Sequence, residues 1–245
     1  MATVQKTFIS INGKALPAKI YRERRGNARV SIGKRAAILR MPIWMGRSEQ
    51  EQKVKWFVNW VRERFESNPD LHTQFFGKGY RDGDKITVGE RQYTIRIYIT
   101  ERKTHTAKLK NRIIQLHLSK GDSESHLHKS IQHLLSRVVA RDYYPEIERK
   151  VNELNNLYFR KTIKSVNLKY NHTNWGSCSS KGNVNLSTRL LFAPTDVIDY
   201  VIIHELAHLI ELNHSERFWK LVADAMPDYK EKERWLDSNG HLCYF

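Results

Sequence analysis

The stretch DYVIIHELAHLIELNHSERFW, Asp199–Trp219, places three histidines and a glutamate in a segment whose other residues are typical of a buried helix. Its apolar residues lie on every side of the polar ones: Val201, Ile202, Ile203, Leu206, Leu209 and Ile210. A polar group that is buried without a partner costs a few kcal/mol. These polar side chains therefore either find partners inside the protein or bind something.

Two of the histidines lie about one helical turn apart. His204 and His208 are separated by four residues, so their imidazoles emerge from one face, with Glu205 beside them. This is the H-E-x-x-H pattern, in which the histidines hold zinc and the glutamate is the general base for a zinc-activated water. In the alternative interpretation, these histidines bind no metal and form hydrogen bonds to backbone carbonyls and water. An apolar helix would then have to satisfy these polar side chains unaided.

His214 is the predicted third metal ligand. A catalytic zinc site uses three protein ligands and leaves the fourth position open. His214 follows His208 by six residues, as in the pattern H-E-x-x-H-x-x-G-x-x-H, although Glu211 stands where that pattern has glycine. We expect Asn213 to provide the turn, because asparagine tolerates left-handed backbone. Three carboxylates further along the chain are the alternatives for a third ligand: Asp228, Glu231 and Glu233.

The net charge of +16 is distributed unevenly over the 245 residues. Residues 195–245 carry 5 Lys and Arg against 10 Asp and Glu, whereas the remainder carries 37 against 16. A basic surface suits an anionic partner, most commonly nucleic acid, so non-specific DNA binding is a hypothesis for the basic part. Its candidate contacts are three clusters: Arg22–Arg25, Lys34–Arg35 and Lys108–Lys110. The alternative is a solvated face that only aids solubility.

The composition of the chain indicates its cellular compartment. Hydrophobic residues make up 40% of the chain, which is typical of a globular protein with a sizeable core. No apolar run approaches the ~20 residues of a membrane span, and the first residues have no apolar signal-peptide core. Two cysteines, Cys178 and Cys243, do not make a disulfide framework. We therefore predict a cytoplasmic protein.

The pattern along the chain predicts an α+β fold with two parts. Residues 1–120 form a basic, β-rich N-terminal region with one helix, and residues 121–245 form the catalytic domain. The helix of the first part spans Arg47–Glu66, with Ser48 as its cap and Glu51 completing a capping box.

In the second part, a long helix is predicted from Glu124 to about Leu157, broken or kinked at Pro145. A strand follows over Asn183–Phe192, and Thr195 is expected to cap the helix that carries the histidines. The strand beside this helix is expected to pair with extended substrate along Asn183–Ser187.

Two blocks of sequence resemble the YgjP-like metallopeptidase family, which is related to SprT-like proteases. They are NWGSCSSKGNVNLSTRLLFAP, residues 174–194, and YVIIHELAHLIELNHSERFWKLVADAMPDYKEKERWL, residues 200–236. The resemblance implies a zincin-like metallopeptidase core, zinc at His204, His208 and His214, and Glu205 as general base. It also implies kinship with proteases of which some act on protein bound to DNA.

The sequence therefore predicts a zinc metallopeptidase that hydrolyses peptide bonds in a peptide or protein substrate. One alternative is a nucleic-acid-binding protein with a mainly structural zinc site, and another is a zinc hydrolase of non-peptide substrates. An open fourth position on the metal would distinguish an enzyme from a structural site. Cys178 is expected to be a buried thiol, and Tyr200 and Tyr229 are candidates for stabilising the oxyanion. The sequence does not indicate an oligomeric state.

Overall fold

The computed structural model describes residues 3–33, 35–76 and 78–245, so Lys34 of the basic cluster lies outside the described residues. The chain divides into two compact units, Met1–Lys78 and Gly79–Phe245. The predicted boundary lay at residues 120 and 121. The difference arises because the strands that follow Gly79 share one hydrophobic core with the histidine-bearing helix. None of the described helices is both long enough and apolar enough to cross a membrane.

The first unit is a four-stranded sheet with two helices. Its strands are β1 (Thr3–Ile11), β2 (Lys14–Glu23), β3 (Arg29–Ile32) and β4 (Ala37–Pro42), in the spatial order β1-β2-β4-β3. Its helices are α1 (Arg47–Ser67) and α2 (Pro69–Phe76). Alternate residues of the strands, such as Ile9, Leu16 and Leu39, are buried in one core with Phe57 and Val61 of α1. The period-2 pattern of the strands therefore gives the sheet one buried face.

The start of α1 differs from the predicted capping box. Gly46 precedes the helix and makes no side-chain cap, whereas Ser48 lies inside the first turn. The prediction that Ser48 caps the helix is therefore wrong. The apolar spacing was the stronger signal, because Phe57, Val61 and Phe65 are all buried.

The second unit contains two sheets and four helices. One sheet has the order β5-β6-β8-β7, from β5 (Lys85–Val88), β6 (Arg91–Thr100), β7 (Thr106–Lys110) and β8 (Ile113–Ser119). The other has the order β10-β11-β9, from β9 (Ser165–Lys169), β10 (Gly176–Cys178) and β11 (Asn183–Ser187). The helices are α3 (Glu124–Leu154), α4 (Thr195–Ala207), α5 (Glu216–Ala225) and α6 (Tyr229–Asn239). The fold class is α+β, as predicted.

The long helix α3 begins where the sequence predicted and continues through Pro145. Ser123 caps it, because its Oγ accepts a hydrogen bond from the His126 N–H at 3.3 Å. The helix leads into a π-helical turn, Asn155–Phe159, and ends at Arg160 in left-handed backbone with φ 51°. The Asn155 side chain then bonds both backbone groups of Lys161, which turns the chain toward β9.

The strand predicted over Asn183–Phe192 is shorter than expected. It ends at Ser187, and residues Thr188–Phe192 form a 3-10 turn. The Ser187 Oγ accepts a hydrogen bond from the Arg189 N–H at 3.3 Å, which stabilises the change from strand to turn.

We predict that Leu116→Ala lowers the free energy of unfolding of the second unit by about 2–5 kcal/mol. Leu116 lies on β8 with no exposed surface, so its truncation leaves a cavity. Urea unfolding, fitted with a separate transition for each unit, measures the change. Ile113→Ala is the matched control, because Ile113 lies on the same strand but is 36% exposed. Equal losses for the two variants would contradict this account of the core.

Candidate metal site

Helix α4 carries His204 and Glu205 through the core of the second unit, and His208 follows directly as its C-cap residue. Val201, Ile202 and Leu206 are buried around them. The prediction that Thr195 caps this helix is wrong, because Pro194 precedes it and Thr195 is its first helical residue. Asp196 instead accepts a hydrogen bond from the Val197 N–H at 2.9 Å, where its negative charge also suits the helix dipole.

The structure brings the three predicted histidines together. The nearest ligand nitrogens of His204, His208 and His214 all lie within 4.8 Å of one another. The Nε2 atoms of His204 and His214 are 3.1 Å apart. Nitrogens this close can bind a single ion, and three imidazoles form a ligand set that suits zinc.

The chain returns from His208 to His214 by a tight turn, although not the one predicted. None of the described residues between these two histidines has a positive φ, so the expected left-handed Asn213 is wrong. The Asn213 side chain instead accepts a hydrogen bond from the Ser215 N–H at 3.2 Å. The Ser215 Oγ in turn caps α5 through the Phe218 N–H at 3.3 Å. These local bonds place His214 directly before a helix start.

Two of the imidazoles are held in a form that can bind a metal. The Nδ1 of His208 lies 3.1 Å from the Glu211 carbonyl oxygen, and donation there leaves Nε2 free to act as a ligand. Burial, with His208 and His214 nearby, lowers the pKa of His204 to about 4, so its ring is neutral near pH 7. Burial also lowers the pKa of His208. The Nδ1 of His204 is buried without a hydrogen-bond partner among the described residues.

Two aromatic rings, Phe218 and Trp219, pack against the histidine cluster. Phe218 is fully buried, and its ring centroid lies 4.5 Å from that of His208, 4.7 Å from His214 and 4.9 Å from His204. Trp219 stacks on His214 with an interplanar angle of 27°. Phe218 therefore packs against all three imidazoles.

Glu205 is buried against the backbone of β10. It is 5% exposed, and a Cβ added to Gly176 would lie 2.5 Å from its Oε1. A side chain at position 176 would therefore displace this carboxyl group. Burial raises the pKa of Glu205 to about 7, and a cation held nearby would favour its charged form.

A cavity of about 540 Å³ opens over these residues. Its lining combines the segment before and along β10, residues of α4, the third histidine and residues of α6: Asn174, Trp175, Gly176, Ser177, Cys178, Tyr200, Val201, His204, Glu205, His208, Leu212, His214, Glu233, Leu236 and Asp237. The charged groups in this lining are Glu205, Glu233 and Asp237, apart from any charge on the histidines. A cavity of this size can hold several residues' side chains or a small ligand.

The strand that borders the cavity is β10, not the predicted Asn183–Ser187. That segment is β11, which pairs with β10 on one side and β9 on the other. The predicted substrate edge is therefore wrong, because both sides of β11 are already hydrogen-bonded. Strand adjacency is non-local, and the three-residue β10 gave too short a pattern for the sequence to reveal it.

The hydrogen-bond pattern shows which groups of β10 point away from β11. The Ser187 N–H donates to the Trp175 carbonyl at 2.7 Å, and the Ser179 N–H donates to the Asn183 carbonyl at 3.1 Å. Because alternate residues of an antiparallel strand face its neighbour, Gly176 and Cys178 face outward. The outward carbonyl of Gly176 accepts a bond from the Asn174 side chain at 2.9 Å.

Arg189 fixes the loop that leads into β10. Its guanidinium lies over the Trp175 ring at 4.6 Å. It also donates hydrogen bonds to three backbone carbonyls, those of His172, Gly240 and Cys243. This arginine therefore joins the rim of the cavity to the last residues of the chain, a role that no sequence pattern indicated.

The other predicted residues lie at different distances from the histidines. Cys178 is half-buried, and burial together with the nearby Glu205 raises its thiol pKa to about 11. Tyr200 lines the cavity, whereas Tyr229 is not among the lining residues and stacks on Trp219. Of the alternative ligands, Glu233 lines the cavity and Asp228 pairs with Lys232 at 2.9 Å. Glu231 is exposed.

The two histidines of an H-E-x-x-H motif, a third histidine from the following turn and a buried glutamate beside an open cavity form a candidate metal site of the kind found in metallopeptidases. The chain belongs to the YgjP-like family: the model of the YgjP-like metallopeptidase domain matches residues 26–239. The family is one of metal-dependent peptidases, and this membership confirms the resemblance seen in the sequence.

Two solved structures are similar to parts of this chain. The metallopeptidase zymogen abylysin of Pyrococcus abyssi is 24% identical, over 38% of this chain and 93% of its own, with a TM-score of 0.35. The zymogen jannalysin of Methanocaldococcus jannaschii is 22% identical, over 38% of this chain and 94% of its own, with a TM-score of 0.33. No curated protein matches the chain.

We predict that His204→Ala, His208→Ala and His214→Ala each lose most of the bound metal, because each removes one of three ligands. Purified protein should contain about one zinc ion per chain. Elemental analysis and zinc titration measure both quantities. His133→Ala, which changes an exposed histidine on α3, is the control that should keep its metal. If His214→Ala kept full affinity, the third ligand would lie elsewhere and Glu233 would be tested next.

Proposed function

We propose that this chain is a zinc-dependent peptidase in which His204, His208 and His214 hold the metal and Glu205 is the general base. One observation carries the proposal: the three imidazoles and the buried carboxyl group converge on one wall of an open cavity. Zinc is favoured among metals because nitrogen ligands in this number suit its catalytic sites. The core is then of the zincin type.

Zinc, when bound, would supply an activated water and polarise a carbonyl group of the substrate. The protein's own groups do the rest. Glu205 accepts a proton from the attacking water and can pass it to the amine that leaves. The backbone of Gly176 limits where that carboxyl group can lie. The His208 bond to the Glu211 carbonyl keeps the imidazole oriented toward the metal position.

The exposed edge of β10 offers a place for the substrate. An extended peptide that runs beside β10 could accept a hydrogen bond from the Cys178 N–H and donate one to its carbonyl. The Asn174 side chain already donates a hydrogen bond to the outward carbonyl of Gly176. At Gly176, the substrate could therefore bond only to the backbone N–H. Backbone pairing of this kind recognises an extended chain and not a particular side chain.

Two observations favour this proposal over its alternatives. A structural zinc site needs a fourth protein ligand, but among the described residues the ligand group contains only the three histidines. A hydrolase of non-peptide substrates remains the second candidate, and membership of a metallopeptidase family favours peptides over it. Non-specific DNA binding remains a prediction that rests on charge.

We predict that Glu205→Gln keeps its metal but loses peptide hydrolysis by 10²–10⁴-fold, a range of magnitude typical of general-base loss. The amide has nearly the shape of the carboxyl group but cannot accept the proton. Cleavage of an unstructured protein such as casein, together with elemental analysis, measures both properties. Glu216→Gln is the control, because Glu216 is an exposed carboxylate outside the cavity. A Glu205→Gln protein as active as the wild type would refute the mechanism.

We also predict that Gly176→Ala lowers activity by at least about tenfold at unchanged metal content. The new methyl group would displace the Glu205 carboxyl, and a shift of ~1 Å near the reacting atoms can cost 10²-fold in rate. Gly79→Ala is the matched control, since a Cβ added at Gly79 meets no atom within 4 Å. Unchanged activity in Gly176→Ala would show that Glu205 needs no such restraint.

A further inference from the structure

The sheet of the first unit has one face that points away from its core. The even-numbered residues of β1 and the odd-numbered residues of β2 alternate with the buried ones and lie on this open face. Phe8 is 70% exposed there and Val4 is 50% exposed. These two side chains leave part of the sheet face apolar and open to solvent.

The strand register arranges this face in rows across the sheet. One row contains Val4, Tyr21, Arg40 and Arg29, the next contains Lys6, Lys19, Ile38 and Ser31, and a third contains Phe8 and Pro17. The open face therefore combines aromatic side chains with cationic ones.

Two of the cross-strand pairs on the open face join like charges. Lys6 lies directly opposite Lys19, and Arg29 lies opposite Arg40. Such pairs destabilise a sheet, because the two positive groups are held close together. Neither lysine has an ion-pair partner among the described residues, whereas Arg40 pairs with Glu23 at 2.9 Å. A polyanion that lay across the sheet would relieve the repulsion between Lys6 and Lys19.

The aromatic residues indicate which polyanion fits. The Arg40 guanidinium lies 4.5 Å above the Tyr21 ring, and Phe8 is open to solvent two residues from Lys6. Unpaired bases stack on exposed aromatic rings, whereas the bases of a duplex already stack on each other. The residues of the first unit carry 16 Lys and Arg against 6 Asp and Glu, which suits a phosphate backbone.

We propose that the open face of this sheet binds single-stranded nucleic acid without sequence preference. Phe8 provides the stacking surface, and Lys6, Lys19 and Arg29 provide the phosphate contacts. The proposal is independent of the peptidase reaction, because all of these residues lie in the first unit and the metal site lies in the second.

The test is fluorescence anisotropy with a labelled oligothymidylate of about 20 nucleotides and a duplex of equal length, over a salt series. The full-length Glu205→Gln protein is used, so that peptidase activity plays no part. The single strand should bind more tightly than the duplex. Lys6→Gln/Lys19→Gln should reduce the slope of log affinity against log salt by about 1.4, since each phosphate contact contributes about 0.7. Phe8→Ala should weaken binding at least about fivefold, with the slope unchanged.

Two control variants test whether binding depends on this surface or only on positive charge and exposed apolar side chains in general. Lys55→Gln/Arg62→Gln removes the same charge from exposed positions of α1 and should leave binding near that of the wild type. Leu157→Ala truncates an apolar side chain that is 64% exposed in the second unit and should also have no effect. The proposal is overturned if Lys6→Gln/Lys19→Gln and Phe8→Ala bind like the wild type, if the control pair weakens binding equally, or if the duplex binds more tightly.

Discussion

The close approach of α4 to β10 is the constraint on which the rest of the second unit depends. A helix with buried residues all around it normally excludes a carboxyl group, yet Glu205 lies within it at 5% exposure. It fits because Gly176 has no side chain and the strand can lie directly over the carboxyl group. The same approach makes β10 a wall of the cavity, so one packing contact positions the proposed base, the histidines and the strand edge together.

The parts of this site that the sequence predicted are those that local geometry determines. The period of an α-helix fixes the relation of His204 to His208, and six residues suffice to bring His214 back to them. The fold class also followed from periodicity. Cap residues were predicted less well, since Ser48 and Thr195 lie inside their helices and the residues before them make no side-chain cap. Several polar residues near a helix start can act as its cap. The sequence alone therefore predicts the first helical residue only to within one or two positions.

The features that the sequence missed depend on contacts between distant segments. The position of β11 between two other strands follows from pairing with residues 165–169 and 176–178, and no local pattern encodes that order. The unit boundary near residue 78 likewise depends on which core the strands β5–β8 enter. The left-handed turn expected at Asn213 was replaced by side-chain hydrogen bonds that give the same reversal without backbone strain.

Arg189 links the rim of the cavity to the last residues of the chain. One planar cation holds carbonyls of His172, Gly240 and Cys243 while it covers the Trp175 ring. Local opening of the loop before β10 would remove the His172 carbonyl and the Trp175 ring from the same guanidinium that holds the carbonyls of Gly240 and Cys243. The order of the cavity rim at Trp175 is therefore tied to residues 240–243, more than sixty positions further along the chain.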